Sequence, residues 1–252
     1  MHLSNVFWVL LAASSTLGCE EASVLTVLNA AHHGTRVDGK LPNLGDPEKA
    51  RVFVNDRGWT ITLSAGFVVT ATAQLEDCEG TTVDIGTPFG PFPEYWTEQD
   101  KNVTDFGYVD LPEGTYCKLT LEYGRYQTAV ANTAEDTPFP IKDPAEVEGR
   151  TIYLAGYAEK PDGMGGSITQ NFGLETDQTI RVPLDLSKIS PSGGSFTITG
   201  KENATPNLTV LKAYDALFQG VEFDKLDVAA FNASLPERLI ANTTVISGTA
   251  IY

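Results

Sequence analysis

Apolar and polar residues alternate with a period of two through most of the sequence after residue 19, and the 3.6-residue period of an amphipathic helix hardly appears. A period of two places successive side chains on opposite faces of a strand, so that one face can be buried. Residues 67–75 are the longest segment of this kind, and residues 116–123 follow a Pro-Glu-Gly turn. The sequence therefore predicts an all-β protein with short turns, most simply a β-sandwich of immunoglobulin-like or jelly-roll-like type.

The predicted strands are rich in β-branched and aromatic residues and are separated by turn residues. They cover residues 24–29, 50–54, 59–63, 67–75, 106–111, 116–123, 151–159, 167–174, 179–186 and 195–199. Two short helices are predicted near the C-terminus, at residues 212–219 and 235–241. The second is predicted to begin at Ser234 as its N-cap, with Pro236 in the first turn.

The N-terminal segment is typical of an export signal. Residues 6–18 form an apolar run that fades into small residues and stops at Cys19, and this run is shorter than the ~20 residues that span a bilayer. The sequence Thr16-Leu17-Gly18-Cys19 resembles the lipobox of bacterial lipoproteins. We therefore expect residues 1–18 to be a lipoprotein signal peptide, Cys19 to carry lipid, and the membrane to be a partner through that lipid.

The expected location is the outer membrane or the periplasmic face of a bacterial membrane. Ordinary signal cleavage without acylation is the alternative, and it would give a secreted protein. Five Asn-X-Ser/Thr sequences also keep a secreted eukaryotic glycoprotein open. Residues 19–252 are predicted to form a single β-rich domain, with a candidate subdomain boundary in the polar, proline-bearing stretch 132–149.

One of the three cysteines is predicted to carry lipid, and the other two are predicted to pair with each other. If Cys19 takes lipid, Cys78 and Cys117 remain as a pair in an oxidising compartment, where a disulfide is expected. Ligation of a metal by the two thiolates is the alternative. The disulfide would tie together two neighbouring or facing strands, since Cys78 ends one predicted strand and Cys117 lies within another.

The charge of the chain limits its partners. The formal net charge is -16, and residues 1–18 contain no charged side chain apart from a protonated form of His2. The domain is therefore strongly acidic, and this disfavours nucleic acid and anionic lipid head groups as partners. We expect an unidentified protein or small ligand instead.

Histidine is scarce, which removes most hydrolase mechanisms. After the signal the chain holds only His32 and His33, and no Gly-X-Ser-X-Gly sequence is present. The two histidines are candidate ligands for copper or zinc, with Met164 as a weaker third. Neighbouring side chains of an extended segment point to opposite faces, so both histidines reach one ion only if the chain bends at Gly34.

The segment 87–96 sets four aromatic residues among prolines. Phe89, Phe92, Tyr95 and Trp96 could form a surface for a ligand or a partner, because stiffly held aromatic side chains bind at low entropic cost. The same loop could instead fold back over the core of the sandwich.

Catalytic signatures are not found in the sequence. Carboxylates are plentiful, but no pair has a context that would raise one pKa and leave the other low. We therefore expect a non-enzymatic protein, with a carboxylate-based hydrolase as an alternative.

Several segments of the sequence resemble those of a known family. They are residues 53–68, 75–78, 111–117, 214–223 and 235–242. They resemble exported lipoproteins of proteobacteria that are distantly similar to the MbnP-like periplasmic copper-binding proteins. The resemblance implies one β-rich domain outside the cytoplasm and copper as a cofactor. Members of that family carry several histidines along the chain, whereas this chain has none after His33, so only His32 and His33 are carried over as ligands.

The sequence thus predicts an exported, lipid-anchored, non-enzymatic binding or surface lipoprotein. A periplasmic copper-binding protein is the first alternative, and the carboxylate-based hydrolase is the second.

Overall fold

The fold is all-β with one α-helix near the C-terminus, as the alternating sequence predicts. The computed structural model describes residues 23–35, 51–87, 90–96, 103–127, 147–189, 193–200 and 205–248. Its strands are β1 Ser23–His33, β2 Arg51–Val54, β3 Thr60–Asp77, β4 Thr82–Ile85, β5 Phe92–Tyr95, β6 Thr104–Pro112, β7 Gly114–Tyr123, β8 Ile152–Pro161, β9 Ser167–Thr176, β10 Ile180–Asp185, β11 Phe196–Ile198, β12 Asn207–Ala213 and β13 Thr243–Ser247. Two 3₁₀ turns, Asp215–Phe218 and Phe223–Lys225, precede the helix α1, Val228–Ala241.

The first sheet has four strands in the order β13-β12-β1-β6. Strand β1 runs antiparallel to β6 and parallel to β12, and in the parallel pair His32 lies beside Lys212. Strand β13 then pairs antiparallel with β12. Neither β12 nor β13 is predicted from the sequence, and residues 212–213 form the end of β12 where a helix is predicted.

The second sheet is organised around β3. This strand runs for 18 residues through the predicted strands 59–63 and 67–75, with a register shift between Leu63 and Ala65. Its first half pairs with β8 and its second half with β7, and the short strands β2, β5 and β4 also pair along its length. Strand β9 extends the sheet beyond β8, while β10 and β11 pair with β7.

The core lies between the two sheets and follows the period-two pattern. In β10, for example, Ile180, Val182 and Leu184 are buried and the residues between them are exposed. Trp59 and Leu63 of the second sheet and Leu28 of the first belong to this one apolar cluster. Burial of these alternating apolar side chains is the main stabilising contribution to the sandwich.

The predicted disulfide between Cys78 and Cys117 is present. Cys78 directly follows β3, and Cys117 lies in the neighbouring strand β7, where Asp77 and Tyr116 are register partners. The bond therefore ties two adjacent strands of the second sheet, and it closes a loop of 39 residues in sequence separation.

The helix α1 begins earlier than predicted. Its N-cap is Asp227, whose side chain accepts a hydrogen bond from the Ala230 N–H, so Ser234 is not the cap and Pro236 lies inside the helix. Ser234 instead donates its hydroxyl to the carbonyl of Phe231. The buried residues Phe231 and Leu235 dock the helix on the core, and this packing outweighs the cost of an internal proline.

Within the ranges that the structure describes, none of the helices combines the length and the apolarity needed to cross a bilayer. The predicted signal, Cys19 and most of the candidate boundary at 132–149 lie outside the described residues.

Candidate functional site

Three side chains with ionisable groups are buried between the two sheets. His32 of β1 and Lys212 of β12 are each 2% exposed, and Glu94 of β5 is 5% exposed. Because His32 and Lys212 are register partners, they project side by side from the first sheet. Glu94 is the partner of the buried Val68 and projects from the second sheet. The three residues therefore form a charged bridge across the apolar interior.

Glu94 binds both of its neighbours at the same time. Lys212 Nζ lies 2.5 Å from Glu94 Oε2, and His32 Nδ1 lies 3.3 Å from Glu94 Oε1. Burial acts to raise the pKa of Glu94, but the positive charge of Lys212 and the hydrogen bond from His32 outweigh it and hold the pKa below its ordinary value of 4.5. The carboxylate is therefore ionised and neutralised within the protein.

Two tyrosines border the charged bridge. Lys212 Nζ lies 5.9 Å from the centre of the Tyr123 ring, and the Tyr214 ring packs 6.2 Å from the ring of His32. Burial raises the pKa of Tyr123 well above 10, and the nearby negative charge of Glu94 raises it further, against a smaller opposite effect of Thr243. The hydroxyl group of Tyr123 therefore stays protonated at physiological pH, and the uncharged side chain borders the cluster.

His33 occupies a different environment from His32. It is the last residue of β1, its side chain is half-buried, and its Nδ1 lies 3.0 Å from the carbonyl oxygen of Gly34. The predicted division of the two rings between opposite faces of a strand fits this placement, since His32 alone points to Glu94.

Nδ1 of each ring faces an acceptor. A carbonyl oxygen or a carboxylate can only accept, so Nδ1 is the donor in both contacts. This is the arrangement found in most metal-binding histidines, where a carboxylate or carbonyl orients the ring through the other nitrogen.

A third polar side chain lies at the same end of the strand pair. Asp215, the first residue of the 3₁₀ turn that follows β12, accepts the N–H of Thr35 through Oδ2 at 2.8 Å. The side chain is buried, and within the described part of the chain its Oδ1 makes no hydrogen bond. A buried carboxylate oxygen without a donor is costly unless a cation or a water satisfies it.

Met164 does not join the histidines. It lies in the turn between β8 and β9 and is 95% exposed, whereas His32 is buried between the sheets. No group of three or more His, Cys, Asp or Glu side chains within metal-binding distance occurs among the described residues. The structure therefore places Met164 on the surface and His32 in the interior.

The aromatic segment contributes to the core. Phe92 and Trp96 are 7% and 0% exposed, and the Phe92 ring stacks on Phe106 of the facing sheet. Tyr95 is half-buried and packs on Phe67 in a smaller cluster. Phe89 lies outside the described residues. Phe92 and Trp96 cannot act as an exposed binding surface, because their rings fill the interior.

Two shallow grooves open on the surface. One has a volume of about 510 Å³ and lies between α1 and the ends of β8 and β9, next to Arg150, Asp177 and Asn232. The other, of about 420 Å³, lies over β3, β4 and β7, next to Gln74, Asp84 and Arg181. Both are open and lined by polar as well as apolar groups.

Sequence reasoning missed Glu94 and Lys212. The sequence feature that could have identified each residue is a single charge inside an apolar or aromatic stretch. These stretches are Phe-Pro-Glu-Tyr-Trp for Glu94 and Leu-Thr-Val-Leu-Lys-Ala-Tyr for Lys212. A charge in such a position is buried only with a partner. The partners come from strands 118 residues apart and could not be matched from spacing.

No protein-family model matches the chain, and no curated protein matches its sequence significantly. Among solved structures, the fold is similar to that of MbnP from Methylosinus trichosporium. The two share 10% sequence identity with a TM-score of 0.46, over 90% of this chain and 99% of that chain.

Proposed function

We propose that this chain is an exported binding protein, held at a membrane surface by lipid on Cys19, and that it is not an enzyme. The observation that supports export is the Cys78–Cys117 disulfide, because such bonds persist in oxidising compartments outside the cytoplasm. The apolar run 6–18 before Cys19 supports the route of export and the acylation.

A non-catalytic role fits the state of the titratable groups. Three carboxylates with a lowered pKa, those of Asp77, Asp162 and Asp185, accept backbone N–H groups inside surface turns. The buried carboxylate of Glu94 is occupied by Lys212 and His32 between the sheets. A general acid or base must reach the substrate, and these groups are engaged in holding the fold.

The test of export and anchoring is expression of the full chain with its own signal in a bacterium that acylates lipoproteins. We expect the wild-type protein in the membrane fraction, with a diacylglycerol mass on the N-terminal peptide, and the Cys19→Ser variant without lipid and released from the membrane. Cys78 and Cys117 should resist alkylation until they are reduced. A wild-type chain with an unmodified Cys19 would refute the anchor, and alkylation of Cys78 and Cys117 without prior reduction would refute the support for export.

Transition-metal binding at the end of β1, with copper as the first candidate ion, is a second candidate function. The contact of His33 Nδ1 with the Gly34 carbonyl favours it, because a carbonyl at one ring nitrogen orients many metal-binding histidines. Asp215, next to the same strand end, offers a carboxylate oxygen that makes no hydrogen bond in the described part of the chain. His32 is less suited, because the ammonium group of Lys212 shares its carboxylate.

The metal role is tested by elemental analysis after copper loading and desalting of the wild-type protein and of the His33→Ala, His32→Ala, Asp215→Asn and Met164→Leu variants. We expect one copper per chain in the wild type and in Met164→Leu, and a loss in His33→Ala and Asp215→Asn. Circular dichroism of each variant checks the fold. A wild-type protein that retains no copper, or a His33→Ala variant that retains all of it, would rule this function out.

A further inference from the structure

We infer that the domain stands end-on at the lipid surface, with the turn between β6 and β7 at Glu113 facing the bilayer and the end that carries His33 facing away. This inference rests on the proposed acylation of Cys19. It assigns one end of the sandwich to the membrane and leaves the other end for ligands and partners.

The tether between lipid and domain is short. Three residues, Glu20, Glu21 and Ala22, separate Cys19 from Ser23, the first residue of β1. Four consecutive Cα–Cα steps span at most about 14 Å even when the chain is fully extended. The start of β1 is therefore held close to the head groups, whatever path the tether takes.

The residues around Ser23 define the membrane-facing end. Ser23 is the register partner of Pro112, at the end of β6. The next strand, β7, begins at Gly114 in the second sheet, so Glu113 forms the turn between the two sheets, and its carboxylate accepts the N–H of Gly200 at 2.9 Å. Thr197 of β11 pairs with Thr115 just beyond this turn.

The opposite end lies one strand length away. Strand β1 has 11 residues, which at ~3.3 Å per residue places His33 roughly 33 Å from the membrane-facing end. Strand β7 runs from the turn at Glu113 to Tyr123, whose ring lies 5.9 Å from Nζ of Lys212, the register partner of His32. Tyr123 pairs with Ile180, so Thr179 lies at the far end as well. The groove next to Arg150 and Asp177 opens at this far end.

Charge opposes a domain that lies flat on the bilayer. The chain has a formal net charge of -16, and anionic head groups repel an acidic surface. The membrane-facing end itself carries the carboxylates of Asp77, Glu79 and Glu113, so its proximity depends on the acyl chains and the short tether and not on attraction. The lipid surface is thus a neighbour at one end, and the sides of the sandwich stay in solvent.

The experiment compares two matched substitutions of exposed threonines, Thr197→Cys near the turn at Glu113 and Thr179→Cys at the far end. Full-length acylated protein is purified from membranes and inserted from outside into vesicles with acceptor-labelled head groups. A donor dye is then attached to the new cysteine, since lipid occupies Cys19 and the disulfide occupies Cys78 and Cys117. Energy transfer reports the distance of each position from the lipid surface.

We expect clearly stronger transfer from the dye at residue 197 than from the dye at residue 179. Equal transfer, or stronger transfer from residue 179, on protein whose N-terminal peptide carries the acyl mass would overturn the end-on orientation and leave the anchor intact. A peptide without the acyl mass would overturn the anchor and the orientation together. Circular dichroism of both labelled variants checks that the sandwich is unchanged.

Discussion

Lys212 Nζ lies 2.5 Å from Glu94 Oε2, and this ion pair joins the two sheets through the middle of an apolar interior. Lys212 belongs to β12 of the first sheet and Glu94 to β5 of the second. Each charge is tolerated in this position only because the other neutralises it. The energetics of the pair can therefore be separated from those of an exposed pair in the same chain.

Lys212→Met should strongly destabilise the protein, since it leaves the Glu94 carboxylate buried with one partner fewer. We expect a loss of about 3–5 kcal/mol in the free energy of unfolding, measured by urea titration. Lys118→Met is the matched control, because Lys118 and Glu76 form a 2.6 Å pair whose side chains are 44% and 31% exposed. That variant should lose about 1 kcal/mol or less. Equal losses would mean that the buried pair has no special role.

The acid sensitivity of the fold should depend on Glu94. Its pKa is below 4.5 in the folded protein, so the folded state binds this proton less readily than the unfolded chain does. The stabilisation from the ionised carboxylate is complete above the unfolded pKa and is lost as the pH falls through the folded value. Unfolding titrations from about pH 6 to about pH 3 should show a smaller loss of stability for Glu94→Gln than for the wild type. Parallel curves would show that other carboxylates govern acid unfolding.

Removal of the disulfide should lower stability through the unfolded state. A closed loop of sequence separation 39 corresponds to roughly 4 kcal/mol in the chain-entropy model. We expect the Cys78→Ala/Cys117→Ala double variant to unfold at a lower urea concentration, with its circular dichroism spectrum unchanged in the absence of urea. Reduction of the wild type under the same conditions should give the same shift, and a shift in only one of the two experiments would contradict this mechanism.

Gly156 should not tolerate a side chain, because a Cβ at this position in β8 would meet the backbone carbonyl oxygen of Thr62 in β3. Gly156→Ala should therefore cost about 1–3 kcal/mol or prevent folding. Gly173→Ala is the control, since Gly173 lies in the neighbouring strand β9 and the methyl group of an alanine there would have no neighbouring atom within 4 Å. Thermal unfolding of both variants measures the difference, and a Gly156→Ala protein as stable as Gly173→Ala would contradict the close approach of β8 and β3.

Much of the second sheet could be predicted from sequence, because its strands carry their burial pattern in consecutive residues. Residues 116–123 and 167–174, for example, fall within β7 and β9. The strands that the pattern does not predict are short or carry few alternating residues, such as β4 and β5, or contain a charged residue, as β12 does. The predicted helix at 212–219 begins at Lys212, whereas pairing with β1 makes this residue part of a buried parallel strand.

The sequence by itself determined the class of fold and the pairing of Cys78 with Cys117, because the period of two is a local property and few cysteines were available to pair. It also predicted that His32 and His33 face apart unless the chain bends at Gly34, since neighbouring residues of a strand alternate in direction. Only the tertiary structure decided which of the two is buried and what surrounds it. The charged bridge of His32, Glu94 and Lys212 depends on the packing of one sheet against the other, and no local pattern encodes a contact between strands so far apart in sequence.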